Sequence, residues 1–231
     1  MSNILSFSGG KDSTAMLHLM LERGEPIKAV IYCDMGDWEF PEMAEHIAKV
    51  EANTGITVTR VYPKHNLTDM AFRHRYIYKD RENIGYGWPN IHRRWCTSLK
   101  TGAIEARIKE IGGGQHCIGL AADETRRPRI ASKRYPLDEY RYTEADCLDL
   151  CRQLGYHWGG LYEIYKRVSC WCCPLQSLKD LEMLRRYRPE LWKKLLEMDK
   201  QNPPDKLPFS GRGTAALEAR FEKKDRMGML F

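Results

Sequence analysis

Short apolar runs alternate with amphipathic stretches along the first half of the chain. Three of the runs are rich in apolar and β-branched residues, which is typical of buried strands: residues 4–7, 27–33 and 56–61. Between them, residues 13–23 and 41–54 carry apolar positions at helical spacing, and Gly24 and Gly55 follow as stop signals. Strands and helices alternating at this spacing predict βαβ units and a parallel sheet.

The pattern changes after the third strand. Residues 62–95 mix aromatic and basic side chains with glycine and proline, and we interpret them as a mobile segment over a site. A helix is predicted over residues 101–111 and a buried strand over 116–121. The last third is helical in pattern, with capping-box signatures at Thr143 and Ser177. We therefore predict an α/β fold: an open, mostly parallel sheet with helices on both faces, plus a helical C-terminal extension.

Composition narrows the class of protein. The chain has 231 residues, of which 42% are hydrophobic and 29% charged, as expected for a globular rather than a disordered protein. No apolar run approaches the roughly 20 residues needed to cross a bilayer, and the first residues lack the pattern of a secretion signal. We therefore expect a cytoplasmic protein with no membrane partner. In a reducing compartment its eight cysteines favour metal binding or chemistry over disulfides.

Positive charge is unevenly distributed. The net charge is +6, and the basic residues form clusters at 73–75, 93–94, 126–129, 133–134 and 185–188. Such clusters suit a phosphate-bearing ligand, either a nucleotide or a nucleic acid. A solvated basic face is the alternative interpretation.

Residues 8–13, Ser-Gly-Gly-Lys-Asp-Ser, lie where the first strand meets the first helix. Glycines let a backbone approach a ligand closely, and the N–H groups at a helix start attract anions. The spacing is neither a Walker A nor a dinucleotide motif. It matches the S-G-G-x-D-S signature of PP-loop ATP pyrophosphatases, which hold the β- and γ-phosphates during a reaction at the α-phosphate. An ordinary Gly-Gly turn with a capping serine is the alternative. The predicted nucleotide-binding residues here are Ser8, Gly9, Gly10, Lys11, Asp12 and Ser13.

Further polar residues follow two other predicted strands. Asp34 ends the second strand, and residues 119–127 follow the fourth, so both reach the edge where open α/β sheets bind ligands. Asp34 is a candidate for contacting the nucleoside or a metal. Arg127 or Arg129 could bind phosphate bidentately. Gly119, Glu124 and Arg127 complete the predicted nucleotide-binding set, although each could instead be a cap or surface pair.

The cysteines form a second candidate site. Cys170 and Cys173 have the spacing that lets a turn surround one metal or cluster, and Cys96 and Cys172 are further candidate ligands. The three thiolates of Cys96, Cys170 and Cys173 suit a [4Fe–4S] cluster with one open iron, and Cys172 could supply a fourth ligand. A zinc site, completed by His92, and reduced core cysteines are the alternatives. The remaining cysteines are predicted to be core residues: Cys33, Cys117, Cys147 and Cys151.

Six blocks of the sequence resemble one known family in their order. They are SFSGGKDST at 6–14, CDMGDWEFPEM at 33–43, RRWCTSLK at 93–100, GLAADETRR at 119–127, YPLDEYRYTEADC at 135–147 and GLYEIYKRVSCWCCPLQ at 160–176. The chain resembles the phosphoadenosine phosphosulfate reductase family, within the PP-loop and adenine nucleotide alpha-hydrolase-like group. This resemblance implies nucleotide binding by residues 8–13. In cluster-bearing relatives, cysteines at the positions of Cys96, Cys170 and Cys173 hold [4Fe–4S].

The chain departs from the family in one respect. Reductases of adenylyl sulfate or its 3′-phosphate use a cysteine of a Glu-Cys-Gly-type motif near the C-terminus as nucleophile, and here no cysteine follows Cys173. The chain more closely resembles the phage-like and DNA-phosphorothioation-like branch. That resemblance implies ATP-dependent activation of an acceptor for sulfur transfer.

We therefore expect an enzyme that cleaves ATP, or a related adenine nucleotide, at the α-phosphate and adenylylates an acceptor. The expected catalytic residues are Lys11, Asp12 and Arg127, with loop N–H groups, Lys11 and Mg²⁺ stabilising the departing pyrophosphate. An open cluster iron would carry sulfide. The scheme needs an acceptor, either a nucleic acid or a small molecule, and a sulfur source, for which a donor protein is one candidate. The expected domains are a PP-loop nucleotide-binding domain over residues 1–150 and a helical region with the cysteine motif over 151–231.

Two other functions remain open on the sequence. One is a sulfonucleotide reductase in which Cys172 is the nucleophile. The other is a nucleic-acid-binding module in which a zinc ion or cluster is structural.

Overall fold

The computed structural model describes residues 2–168 and 170–228, and it divides the chain into two compact units. The sheet unit contains the described residues of 1–63, 100–163 and 167–169. The helical unit contains those of 64–99, 164–166 and 170–231. This division differs from the boundary predicted at residue 150, since residues 64–99 belong with the C-terminal helices.

The strands of the described residues form one parallel sheet and one hairpin. They are β1 (Asn3–Phe7), β2 (Ile27–Cys33), β3 (Val58–Val61), β4 (Arg75–Tyr78), β5 (Arg81–Ile84) and β6 (Gln115–Ile118). The sheet has the order β3-β2-β1-β6, and each of its neighbouring pairs is parallel. Leu5 at its centre lies opposite Val30 on β2 and Cys117 on β6, and all three are fully buried.

Helices flank this sheet and make up most of the helical unit. They are α1 (Lys11–Glu22), α2 (Glu42–Thr54), α3 (Leu67–Phe72), α4 (Trp95–Glu110), α5 (Pro136–Glu139), α6 (Glu144–Gln153), α7 (Leu161–Ile164), α8 (Leu178–Tyr187), α9 (Pro189–Asp199) and α10 (Thr214–Gly228). The predicted α/β fold, with a mostly parallel sheet flanked by helices and a helical C-terminal region, is confirmed. None of these helices is long and apolar enough to cross a membrane.

The strand order reverses at the carboxyl edge of the sheet, between β1 and β6. The chain adds β2 and β3 on one side of β1, and then places β6 on its other side. The loops that leave β1 and β6 flank this switch point, and in open α/β sheets the crevice at such a point is where ligands bind. The loop after β1 holds residues 8–10, and the loop after β6 begins at Gly119.

Helix α1, which begins at this crevice, is buried along most of its length. It packs against β1, α5 and α6, and its buried residues include polar ones of the first turn, Lys11, Ser13 and Thr14. Because a buried polar group is costly unless it is hydrogen-bonded, these side chains must find partners inside the protein. The start of α1 is therefore fixed by packing and by hydrogen bonds together.

The middle of the chain contains elements that the sequence pattern did not predict. Residues 62–95, interpreted from the sequence as a mobile segment over a site, contain α3 and the β4–β5 hairpin. Lys79 and Asp80 at the hairpin turn both have positive φ, 50° and 60°, as two-residue hairpin turns require. Helix α4 begins at Trp95 rather than at residue 101, so Cys96 lies in its first turn.

The helical unit has its own core and its own polar centre. Buried residues of α8, α9 and α10 include Leu184, Leu195 and Leu217. The Asp199 carboxylate at the end of α9 accepts hydrogen bonds from the Trp88 indole at 2.7 Å and from the Thr214 backbone N–H at 2.7 Å. One side chain thus anchors both a preceding loop and the start of α10.

Replacing Thr143 with alanine should destabilise the sheet unit. Thr143 caps α6, and its side chain accepts from Asp146 N while the Asp146 carboxylate accepts from Thr143 N, a complete capping box. Loss of such a cap costs about 1 kcal/mol of the free energy of unfolding. Urea unfolding measures this, and Thr143→Ser, which keeps the hydroxyl, is the matched control. Equal stability of the alanine and serine variants would contradict the role of the cap.

Candidate functional site

Glycine occupies two positions of the β1–α1 loop for different structural reasons. Gly9 is buried with φ +73°, and a Cβ atom there would lie 2.5 Å from Met43 Cε. Gly10 is the N-cap of α1 in an extended conformation, φ −78° and ψ 168°, which any residue adopts. Its Cβ would lie 3.3 Å from the Tyr162 hydroxyl. Glycine at position 9 is thus required by the fold, whereas glycine at position 10 leaves room at the helix start.

The two predicted serines of the loop form one hydrogen-bond network. Ser13 Oγ accepts from Ser8 N at 3.2 Å and donates to the Gly10 carbonyl at 3.0 Å, and it lies 3.1 Å from Ser8 Oγ. Ser13 is buried and Ser8 is exposed. Ser13 therefore holds the loop in shape, while the Ser8 hydroxyl is the one that a ligand can reach.

Lys11 is buried between two carboxylates. Its Nζ lies 2.6 Å from Asp12 Oδ1 and 3.1 Å from Glu144 Oε2, and its side chain is only 6% exposed. Burial alone would lower the pKa of Lys11, but the hydrogen bonds and charges of Asp12 and Glu144 outweigh it and raise that pKa. The predicted catalytic lysine is thus charged and already paired at the start of α1.

Acidic groups crowd the same helix start. Burial raises the pKa of Asp12, Lys11 opposes that rise, and the charges of Glu144 and Glu124 add to it. Mutual repulsion among carboxylates is the situation that a bound cation relieves. The sequence predicted Asp12 and Glu124 but missed Glu144, although the capping-box pattern marked its position at the start of α6.

Gly119 brings the loop after β6 against α1. A Cβ at Gly119 would lie 3.0 Å from Ser13 Cα and 3.1 Å from Ser13 N. The predicted nucleotide-binding glycine therefore permits a backbone-to-backbone contact between the two loops of the crevice. Through this contact, the loop after β6 packs directly against the first turn of α1.

The two candidate arginines differ in how firmly they are held. Arg129 donates to the carbonyls of Glu124 at 2.7 Å and Arg127 at 2.9 Å, and its Nε lies 3.2 Å from the Asp138 carboxylate. Arg127 is 54% exposed and contacts Glu124 Oε1 at 3.2 Å. Arg129 therefore fixes the loop from inside, and Arg127 is the one placed to meet a ligand.

Asp34 lies at the end of β2, on the side of β1 that faces away from β6. Its carboxylate accepts a hydrogen bond from Gly36 N at 2.7 Å, which closes a turn. The structure thus places Asp34 at the predicted sheet edge, where it stabilises its own loop.

Two aromatic residues that the sequence reasoning missed hold the β1–α1 loop. Trp158 donates its indole N–H to the Gly9 carbonyl at 2.7 Å, and the Tyr162 hydroxyl accepts from Lys11 N at 2.8 Å. The two rings meet edge to face with centroids 4.7 Å apart. The block at 160–176 includes Tyr162, but nothing in the local pattern connects it with residue 11.

A buried histidine supports Trp158 from behind. The His46 ring stacks on the indole with centroids 4.4 Å apart, and its Nε2 lies 3.1 Å from Thr14 Oγ1. Burial, with the charges of Lys49 and His18, lowers the pKa of His46 to about 3. The imidazole is therefore neutral at ordinary pH.

The four cysteines predicted as ligands all lie in the helical unit. Cys170 and Cys173 belong to one turn, in which Cys173 N donates to the Cys170 carbonyl at 3.1 Å. Cys172 is fully buried, and burial, followed by the charges of Cys170, Cys173 and Cys96, raises its pKa far above the usual range. Burial also raises the pKa of the Cys96 thiol. The four sulfurs are thus close enough to influence one another.

The donor chemistry of this set suits a thiolate-bound metal or cluster. Within residues 2–168 and 170–228, however, no group of three or more histidine, cysteine or acidic side chains is already arranged to hold a metal ion. His92, the zinc alternative, is exposed. The other cysteines are buried as predicted: Cys33, Cys117, Cys147 and Cys151.

The clustered basic residues are largely paired with acids of their own unit. Representative pairs are Arg73 with Asp69 at 3.0 Å, Arg75 with Glu82 at 3.0 Å, Arg134 with Glu139 at 2.7 Å and Arg185 with Asp225 at 2.7 Å. This pairing favours a solvated charged surface over an extended phosphate-binding stripe for these clusters.

The sequence is similar to a known family and to known proteins. Residues 2–176 match the family model of the phosphoadenosine phosphosulfate reductase domain. An uncharacterized protein of Methanocaldococcus jannaschii is 26% identical over 212 residues, covering 83% of this chain and 40% of that protein. An argininosuccinate synthase of Hyperthermus butylicus is 24% identical over 182 residues, covering 71% of this chain and 43% of that protein. This chain thus spans about two fifths of the length of these curated relatives.

A solved structure is also similar. It is the crystal structure of phosphoadenylyl-sulfate (PAPS) reductase from Candida auris in a phosphate complex, with 15% identity and a TM-score of 0.49. The similarity covers 74% of this chain and 82% of that chain.

The buried His46 should make the protein sensitive to acid. In the unfolded chain a histidine takes up a proton near pH 6.5, whereas in the folded protein the pKa of His46 is about 3. Titration of His46 therefore leaves the free energy of unfolding almost unchanged above pH 6.5. It lowers that free energy as the pH falls from 6.5 toward 3, by about 2 kcal/mol at pH 5. Urea unfolding at pH 7 and pH 5 should show a smaller loss for His46→Gln than for the wild type. His157→Gln, at an exposed position, is the control, and an unchanged pH dependence in His46→Gln would contradict the assignment.

Proposed function

The chain belongs to the phosphoadenosine phosphosulfate reductase domain family, and we propose that it is an ATP-dependent enzyme of sulfur transfer. It would bind ATP, or a related adenine nucleotide, at the start of α1 and cleave it at the α-phosphate to adenylylate an acceptor. The family membership supports an enzyme that handles a nucleotide. The acceptor, a nucleic acid or a small molecule, and a sulfur donor protein are further parts of the proposal.

The observation that carries the proposal is the crevice between the loops after β1 and β6. Both loops leave the sheet at its switch point, and Gly119 touches the backbone of Ser13 in the first turn of α1. The first N–H groups of a helix have no acceptor within the helix, and the helix dipole adds partial positive charge there. The start of a buried helix of 12 residues at such a crevice suits a polyphosphate.

The residues around this helix start can stabilise a departing pyrophosphate. As the bond between the α- and β-phosphates breaks, negative charge grows on the leaving group, and fixed N–H donors and cations lower the barrier. Lys11 is a cation whose orientation is fixed by Asp12 and Glu144. The Arg127 side chain is 54% exposed, and its guanidinium could turn from Glu124 toward phosphate oxygens and bind them bidentately.

A magnesium ion fits the acidic part of the site. Asp12 and Glu124 are oxygen donors of the kind that Mg²⁺ prefers. Burial raises the pKa of Asp12, and the charges of Glu144 and Glu124 add to that rise. Bound there, Mg²⁺ would neutralise phosphate charge. The carboxylate of Glu144 keeps Lys11 in place beside them.

The thiols of the helical unit would hold a [4Fe–4S] cluster, with zinc as the alternative. Cys96, Cys170 and Cys173 are the proposed ligands, and Cys172 is available as a fourth. With only three of these thiols bound to it, such a cluster would have one open iron that could carry sulfur. The donor set of four neighbouring thiols supports this assignment.

A sulfonucleotide reductase is less well supported. Its nucleophilic thiolate must attack the substrate sulfur and then reach a thiol partner. Cys172, the candidate for that role, is fully buried. A thiol enclosed on all sides lacks the access that both steps need.

Gly10→Val should strongly impair the nucleotide reaction without unfolding the protein. The extended backbone of Gly10 accepts valine, but the new side chain would fill the helix start beside Tyr162. We expect ATP–pyrophosphate exchange in the presence of Mg²⁺ and acceptor to fall about 100-fold, the scale of losing a preorganised oxyanion site. Gly102→Ala is the control, because Gly102 lies within α4 and its Cβ would meet nothing within 4 Å.

Two results would contradict the proposed reaction. One is wild-type exchange in the Gly10→Val protein, since the nucleotide would then bind elsewhere. The other is sulfite release from adenylyl sulfate or its 3′-phosphate that disappears in Cys172→Ser. That second outcome would identify a reductase.

Protein purified without oxygen should be brown and contain about four irons per chain, the cluster stoichiometry. Cys96→Ala, Cys170→Ala and Cys173→Ala should each lose the colour and the iron. Cys147→Ala should keep both, because Cys147 is a buried residue of the sheet unit. Colourless wild-type protein with stoichiometric zinc would reject the cluster in favour of the zinc alternative.

A further inference from the structure

Trp158 fixes the direction of one peptide group in the β1–α1 loop. Its indole N–H binds the carbonyl of Gly9 at 2.7 Å inside the protein, where Trp158 is 3% exposed. That carbonyl and the N–H of Gly10 belong to the same peptide group. The peptide bonds of the described chain include no cis bond, so the two groups point in opposite directions. The inward carbonyl therefore turns the Gly10 N–H outward.

The outward N–H of Gly10 is only weakly engaged. Its acceptor is Ser8 Oγ at 3.4 Å, a long hydrogen bond at an exposed position. The next amide, that of Lys11, donates to the Tyr162 hydroxyl at the much shorter distance of 2.8 Å. An anion that approaches the start of α1 can therefore take the Gly10 N–H without breaking a strong bond.

The indole itself is held in place by several contacts. It stacks on His46, meets the Tyr162 ring at its edge, and lies in a segment whose backbone is strained. Trp158 has φ +45°, a value that bulky residues rarely adopt, and Gly159 follows with φ +57°. Such strain persists only where the surroundings over-determine it, and it is concentrated at functional sites.

We propose that Trp158 is a positioning residue that aims the Gly10 N–H at a phosphate oxygen of the bound nucleotide. This inference rests on the proposed function and adds the residue that preorganises its anion site. Without the indole N–H, the Gly9–Gly10 peptide is free to rotate, and the outward position can then present a carbonyl oxygen, which repels phosphate. Trp158 acts through Gly10 and needs no contact with the ligand.

The test compares Trp158→Phe with Trp192→Phe in the intact chain. Phenylalanine keeps an aromatic ring against His46 but lacks the N–H donor. Trp192 is a matched control, because it is also buried, at 4% exposed, and its indole donates to Glu218 in the helical unit. The probe is inorganic pyrophosphate in the presence of Mg²⁺, titrated by calorimetry and by NMR of protein labelled with ¹⁵N-glycine.

We expect wild-type protein and Trp192→Phe to bind pyrophosphate equally, with a large shift of the Gly10 amide signal. Trp158→Phe should bind about tenfold more weakly, the scale of losing one charge-assisted hydrogen bond, and its Gly10 signal should move little. A merely structural role of Trp158 would not change which amide responds.

Other outcomes separate this inference from the proposed function. If Trp158→Phe binds pyrophosphate as tightly as wild type with the same Gly10 shift, the role of Trp158 is wrong and the nucleotide site stands. The role of Trp158 is equally wrong if the wild type binds pyrophosphate while its Gly10 signal does not move. If the wild type binds neither pyrophosphate nor ATP, the proposed function fails and the role of Trp158 fails with it.

Discussion

The hydrogen bond between the Trp158 indole and the Gly9 carbonyl constrains everything built around the start of α1. Gly9 can adopt its positive φ only because it lacks a side chain, and a Cβ there would collide with Met43 of α2. With the carbonyl bound inside, the loop has one shape, and in that shape Ser13 and Tyr162 bind the C=O and the N–H of the next peptide group, Gly10–Lys11. The anion binding proposed for the helix start would therefore be a consequence of packing by α2 and by the segment around Trp158.

Charge balance at Lys11 adds a second requirement at the same place. A buried ammonium is costly unless it is paired, and here Asp12 and Glu144 supply two carboxylates to one cation. The local charge is therefore negative overall and suits a divalent cation as much as a phosphate. A nucleotide that arrives with Mg²⁺ would satisfy both the helix amides and the excess carboxylate charge, whereas phosphate alone would meet those carboxylates as repulsive neighbours.

Local patterns predicted the strands β1 to β3 and the loop of residues 8–13. A short buried strand followed by two glycines and a helix can be recognised because its signals lie in consecutive residues. The partners of that loop could not be predicted this way. Trp158 lies 149 positions from Gly9, and its role depends on how the chain folds back. The hairpin was missed for a different reason: Lys79 and Asp80 adopt positive φ without glycine, so the usual turn signal is absent. Local patterns also gave no sign that residues 64–99 join a unit formed mostly by later parts of the chain.

The eight cysteines belong to two physical classes, and this separates structural from chemical roles. Cys151 is fully buried on α6 and donates to the Lys11 carbonyl at 3.3 Å, and burial raises its pKa to about 12. Such a thiol stays protonated, packs as a small apolar side chain, and holds α1 through a weak S–H hydrogen bond. Cys170 and Cys173 are only half-buried and share one turn with Cys172. A group of thiols packs no better than a group of small apolar side chains. Neighbouring thiolates repel one another, which raises the free energy of each unless a cation neutralises them. The metal or cluster proposed for Cys96, Cys170, Cys172 and Cys173 would give that arrangement a physical reason.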